Sequence, residues 1–181
     1  MTRTTWTLAF LFVSLITVGT TAAGAEVRDP HIRSTESELL TAVRDGARLS
    51  PTLQSLVERL EASDVIVYLM FGREESPRMA GHIAWLTKAA GRRYLKISVD
   101  RRTFGADRIA ILGHELHHAL EIAESSAVTD EVALGALYRR IGFKSAVGGA
   151  DCFDSAGAIL AGQLIKRETQ ERYAELTSRS R

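Results

Sequence analysis

The spacing of apolar and polar positions divides the chain into stretches of two periods. Leu39, Leu40 and Val43 recur at helical spacing behind Ser34 or Thr35, either of which can cap a first turn, and the run closes near Gly46. Ser50-Pro51 opens a second helix, with proline in the first turn where its missing N–H costs nothing, and Leu53, Leu56, Val57 and Leu60 form one apolar stripe. At Asp64 the texture changes. Val65 to Phe71 is β-branched and aromatic, too short for a helix and bounded by Gly72, which predicts a buried strand. Met79 to Thr87 and Arg92 to Val99 are two further strands, with alternation clearest in the second, and Lys88-Ala89-Ala90-Gly91 joins them as an antiparallel hairpin. The helical period returns in Asp107 to Glu124, in Val132 to Ile141, closed by Gly142, and in Asp154 to Leu176. Glu26 to Arg33 has no clear period and reads as a loose leader, and Lys144 to Cys152, rich in Gly and Ala, as a connector. The expected fold class is α+β: a small antiparallel three-stranded sheet packed with helices.

The amino terminus follows a different logic. Arg3 precedes an uncharged apolar run from Trp6 to Val18 and then small residues, the order of a secretory signal. That run is about 13 residues, whereas a bilayer span needs roughly 20. Ala23-Gly24-Ala25 supplies the small side chains of a cleavage site, so residues 1–25 are expected to be a signal peptide and residues 26–181 a single domain. The expectation is a bacterial protein exported to the periplasm or beyond the cell, with no membrane span after cleavage. Removing Arg3 from 23 basic residues leaves them balanced against 22 acidic ones, which gives no support for nucleic acid as a partner. Cys152 is the single cysteine, so no internal disulfide is available.

Candidate chemistry lies on the predicted helix of residues 107–124. His114 and His118 are four apart, which on a helix of 3.6 residues per turn puts both imidazoles on one face, close enough to share an ion. Glu115 follows the first of them. Zinc accepts nitrogen ligands, keeps an open position in catalytic sites and lowers a water's pKa to about 7. A carboxylate at position 115 is placed to act as general base. Composition alone yields such a spacing about once in a hundred chains of this make-up, and the surrounding apolar-periodic helix behind a hairpin lowers that figure.

The segment Gly113-His114-Glu115-Leu116-His117-His118-Ala119 resembles the zincin metallopeptidases, whose active-site helix carries this signature behind a sheet whose edge strand holds the peptide. Together with Gly91-Arg92-Arg93-Tyr94-Leu95 and Tyr138-Arg139-Arg140-Ile141-Gly142, it is similar to a group of short exported bacterial proteins, over most of the mature chain. The resemblance implies a zinc peptidase acting on a peptide or protein, with His114 and His118 as ligands and Glu115 as base. It does not carry over a third ligand. Metzincins would have glycine at position 121 and a ligand at position 124, where this chain has Glu121 and Glu124. Gluzincins and aspzincins take a carboxylate from a following helix instead. Asp154 is the first choice, because Ser155, Ala156, Gly157 and Ala158 after it let two helices approach closely, although an aspartate there also suits a helix N-cap. Glu131, Glu121 and Asp130 remain open.

Other polar residues have plainer readings. His117 lies about 60° off the ligand face and is expected to flank it. His82 is read as a solvent-facing strand residue and Tyr138 as a packing residue, each with a role at a substrate carbonyl as the alternative. Arg92, Arg93, Arg101, Arg102 and Arg108 are read as solvated surface. A second functional class stays in view, a non-catalytic zincin-like module that binds metal or protein; the intact Glu115 argues against it.

Overall fold

The β-branched run begins one residue later than the polarity change, as β2 (Val65–Gly72), and it is the centre of the main sheet. The computed structural model describes residues 29–72, 80–145 and 152–179. The expected signal peptide and Met79 lie outside those residues. β2 pairs in parallel with β4 (Arg92–Asp100) on one side and with β1 (Ile32–Ser34) on the other. β3 (Gly81–Ala89) runs antiparallel to β4 at the sheet edge, giving the order β1-β2-β4-β3. The fold is α+β, but its sheet is mixed and four-stranded rather than antiparallel and three-stranded. Two causes account for the difference. The hairpin places β4, not β3, beside β2, so the chain leaves and returns before pairing in parallel. β1 has three residues in the stretch read as a leader, too few to display a period. The hairpin turn is tighter than expected: Ala90 and Gly91, at φ 48° and 74°, form a two-residue connection of the kind that requires positive φ at both positions.

Three helices pack on one face of this sheet, and a fourth packs on those three. α1 (Ser37–Leu49) and α2 (Pro51–Glu61) contribute Leu39, Val43, Leu53, Leu56 and Leu60 to the core. Ser50 caps α2 by accepting from the Leu53 N–H at 3.1 Å, with Pro51 in the first turn. No side chain caps α1; Ser34 belongs to β1 and donates to the Leu69 carbonyl at 2.7 Å. α3 (Gly105–Glu124) adds Leu112, Leu116, Ala119 and Ile122. α5 (Ala156–Arg179) adds Ala161 and Ile165, and its Glu168 accepts from Ser50 Oγ at 2.5 Å and from Thr52 Oγ1 at 2.8 Å, which fastens it to the start of α2. From the sheet come Val65, Val67, Leu69, Leu95, Ile97 and Val99, alternate positions of adjacent strands. Each fully buried Leu or Ile in this set stabilises the fold by about 1.5–3 kcal/mol.

Two arginines read as surface residues are buried. Arg93 forms a two-pronged pair with Asp64, at 2.5 and 2.9 Å, and donates to the carbonyls of Ile122, Ala123, Ser125 and Val128 at 2.6, 2.9, 2.8 and 3.4 Å. It thereby satisfies the open carbonyls at the end of α3 and joins them to the sheet. The hydrogen bond from Arg93 holds the Asp64 carboxyl below its ordinary value against the opposing effect of partial burial. Arg108 is paired with Glu38. Arg101 and Arg102 are on the surface as expected.

The remaining elements form a separate layer after α3. α4 (Glu131–Ile141) is capped by Asp130, which accepts from the Ala133 N–H at 2.8 Å, and buries Leu137 and Tyr138. β5 (Phe143–Lys144) and β6 (Phe153–Asp154) pair antiparallel where a connector was expected; residues 146–151 of that connector lie outside the described ones. Asp154 therefore ends a strand instead of opening the last helix. Among the described residues, no helix is long and apolar enough to cross a membrane.

Candidate metal centre

The middle of α3 faces the start of α5, and glycines let the two helices meet. A Cβ on Gly157 would lie 2.6 Å from His117 Nε2, and one on Gly162 would lie 3.3 Å from His114 Cβ. That approach brings β6, immediately before α5, over the two histidines. Asp154 Oδ1 is 3.4 Å from His114 Nε2 and 3.5 Å from His118 Nε2. The three ligand atoms lie within 4.8 Å of one another, and no other such group of three occurs among the described residues. The imidazoles stand edge to face, 4.9 Å between centroids.

The helix N-cap that competed for Asp154 falls to its neighbour. Ser155 Oγ accepts from the Ala158 N–H at 3.0 Å, while Asp154 Oδ1 accepts only the adjacent Ser155 N–H at 2.7 Å from that turn. The Asp154 carboxylate is thus free of the helix and turned to the histidines. Burial raises its pKa, but the hydrogen bond to His118 and the charge of His114 overcome that and hold it below the ordinary carboxylate value.

Glu121, weighed as a ligand from sequence, has a different place. Its Oε2 accepts from His118 Nδ1 at 2.9 Å, and its Oε1 accepts from Ser155 Oγ at 2.6 Å. A carboxylate on the far nitrogen fixes the ring's orientation and makes the other nitrogen a better ligand. His118 is 4 % exposed. Burial alone would lower its pKa, yet the hydrogen bonds to Asp154 and Glu121 raise it to about 9. His114 goes the other way, lowered by burial and by the neighbouring His118 charge, with a hydrogen bond to the Ala158 backbone opposing. Tyr138 packs its ring edge-on against His118 at 5.2 Å and donates from its hydroxyl to the His118 carbonyl at 3.2 Å; burial pushes its pKa up.

Glu115, next to His114, is 5 % exposed and lies against the start of β3. A Cβ at Gly81 would stand 3.0 Å from Glu115 Oε1 and 2.8 Å from Ile111 Cγ2, so glycine there permits the strand to close over the carboxylate. Glu115 and the ligand group consequently sit on adjacent sides of one helix, between β3 and β6.

The other candidates are elsewhere. Glu131 is exposed at the start of α4, Asp130 caps that helix and Glu124 pairs with Arg59 on the surface. His117 flanks the site, half-buried, 3.7 Å from Glu121 Oε1, with its pKa lowered by burial. His82 alternates with Gly81 and so points to the opposite face of the sheet from α3. Sequence reasoning missed the partner role of Glu121, although its position three residues after His118 on a helix is a legible signal. It also missed Gly81, for which a glycine at the start of a strand gave no direction.

The donor set fits zinc. Two imidazole nitrogens and a carboxylate oxygen are a known ligand combination; the two Asp154–histidine separations, 3.4 and 3.5 Å, match the edge of a tetrahedron, about 3.4 Å for bonds of about 2.1 Å, and all three atoms lie within 4.8 Å of one another. Comparisons of the chain with protein-family models, with curated proteins and with solved structures gave no match.

Proposed function

We propose that the chain is an exported zinc-dependent hydrolase, a peptidase, in which His114, His118 and Asp154 hold the metal and Glu115 is the general base. The observation that carries the reading is the convergence of three ligand atoms from two elements beside a buried carboxylate one residue from a ligand. Bound there, zinc would supply a Lewis acid and a water of pKa about 7. Glu115 would take a proton from the attacking water and return it to the leaving amine, so that the water does not add as an oxonium ion and the amine does not leave as an anion. Glu121 keeps His118 in the tautomer that presents Nε2. The Tyr138 ring, edge-on at 5.2 Å, keeps His118 from turning away. β3 is the edge strand next to Glu115, and an edge strand can hold an extended peptide by main-chain hydrogen bonds. Export follows from the reading of residues 1–25 as a signal peptide.

Metal analysis and a peptide-library assay test this together. Purified mature protein binds about one zinc per chain, and His118→Ala and Asp154→Ala lose it while Glu131→Ala keeps it. Glu115→Gln keeps zinc and melting temperature but loses on the order of 10² to 10⁴ in cleavage rate. Full zinc occupancy in His118→Ala, or equal cleavage by wild type and Glu115→Gln, would end the proposal.

A further inference from the structure

We propose that Phe143 forms the wall of a binding subsite beside the metal, so that the substrate carries a large apolar side chain next to the bond that is cut; this rests on the hydrolase reading above. The register of the small hairpin is the basis. Phe143 is the cross-strand partner of Asp154, and residues directly opposite in an antiparallel pair project to the same face with Cβ atoms about 4.5–5.5 Å apart. The Asp154 carboxylate on that face lies 3.4 and 3.5 Å from the two histidine Nε2 atoms. The Phe143 ring is therefore on the metal side of the hairpin.

The pairing is held from both ends. A Cβ at Gly142 would stand 2.6 Å from the Asp154 carbonyl oxygen and 2.8 Å from that of Tyr138, so glycine lets the end of α4 press on β6. Beyond the strands, the Ser145 N–H donates to the Cys152 carbonyl at 2.9 Å, which continues the same register. Lys144 then alternates to the other face, opposite Phe153. What reaches the metal side of β5 is the ring, not the charge.

Phe143 is 48 % exposed. A ring serving only the core would be covered, and its neighbour Tyr138, which does serve it, is 7 % exposed. An aromatic face left open next to a ligand group gives an incoming apolar side chain contact area at low entropic cost.

Two zinc-chelating probes separate this proposal from the one beneath it. Acetohydroxamate and phenylacetohydroxamate share the metal-binding group and differ by a phenyl ring, and calorimetric titration of the zinc-loaded protein measures both. Wild type is expected to bind the phenyl compound about tenfold more tightly. In Phe143→Ala that advantage falls to within about twofold, with zinc content and acetohydroxamate affinity unchanged, and Phe143→Leu retains most of it. Equal binding of the two probes by wild type, or an advantage that survives in Phe143→Ala, overturns the subsite alone. Loss of zinc from Phe143→Ala would make the ring a structural prop and overturns it too. If neither hydroxamate binds the zinc-loaded wild type, the metal has no open position, and the hydrolase reading falls and takes the subsite with it.

Discussion

Two buried charge clusters touch α3, one at its C-terminal end and one around its middle. At the end, the Arg93 guanidinium meets the Asp64 carboxylate and the carbonyls of four residues, so the acceptors that gather there meet a cation that the chain itself supplies. In the middle, the carboxylates of Asp154 and Glu121 gather on His114 and His118, and the positive charge among these four side chains is a proton that His118 holds up to about pH 9. The first cluster is closed by covalent design. The second is closed by a proton, and a proton can be exchanged for another cation. Similar burial and similar acceptors thus give a structural lock in one place and a candidate ligand site in the other, and the identity of the cation distinguishes them.

The contrast breaks most readily at the lock. Arg93→Met leaves buried carbonyls without a donor and should cost about 3–5 kcal/mol of folding stability, measured by denaturant unfolding, while the folded fraction keeps its zinc. A loss below about 1 kcal/mol would mean that the two clusters do not differ in kind. A smaller effect is expected in the candidate metal cluster from Glu121→Gln, which frees His118 Nδ1 from its charged partner. Zinc affinity should fall about 10- to 100-fold by chelator competition, with little change in metal-free stability. Unchanged affinity would reduce Glu121 to a packing residue.

The smallest effect sharpens the contrast by pH. The folded pKa of His118, about 9, stands above its ordinary 6.5. Its contribution to metal-free stability is therefore full below about pH 6.5 and is lost as pH rises through about 9. Zinc must displace that proton. Apparent zinc affinity should climb about tenfold per pH unit toward pH 9, with close to one proton released per ion taken up near neutrality. His114, held low by burial, is already neutral there and adds none. A flat profile would show that His118 is not the ligand.

Much of the candidate site's grouping was legible because helical spacing is local. His114, Glu115 and His118 are set by a period of 3.6, and Asp154 by small residues that allow a close helix contact. The partners were less so. Whether Asp154 or Ser155 caps α5 depends on which side chain the histidines draw, and that is a tertiary fact. The sheet shows the same division. The β3–β4 hairpin is written in two adjacent runs and a turn, but the parallel pairing of β2 with β4 joins strands separated by β3, and no period reports it. Arg93 looked like surface because an arginine's charge is visible in sequence and its carbonyl partners, scattered over Ile122 to Val128, are not.

The layer formed by α4, β5 and β6 has a consequence for cooperativity. It buries few side chains, chiefly Leu137 and Tyr138, which with Leu134 and Phe153 pack on the core, and its polar links to α3 are the Tyr138 hydroxyl on the His118 carbonyl and Asp154 on the two histidines. Segments with few buried apolar contacts open locally at a lower free energy than the core. An ion bridging α3 and β6 would abolish that independence and make the outer layer unfold only with the body. The same ligand would then set both the reach of local opening and the lifetime of the chain against proteolysis.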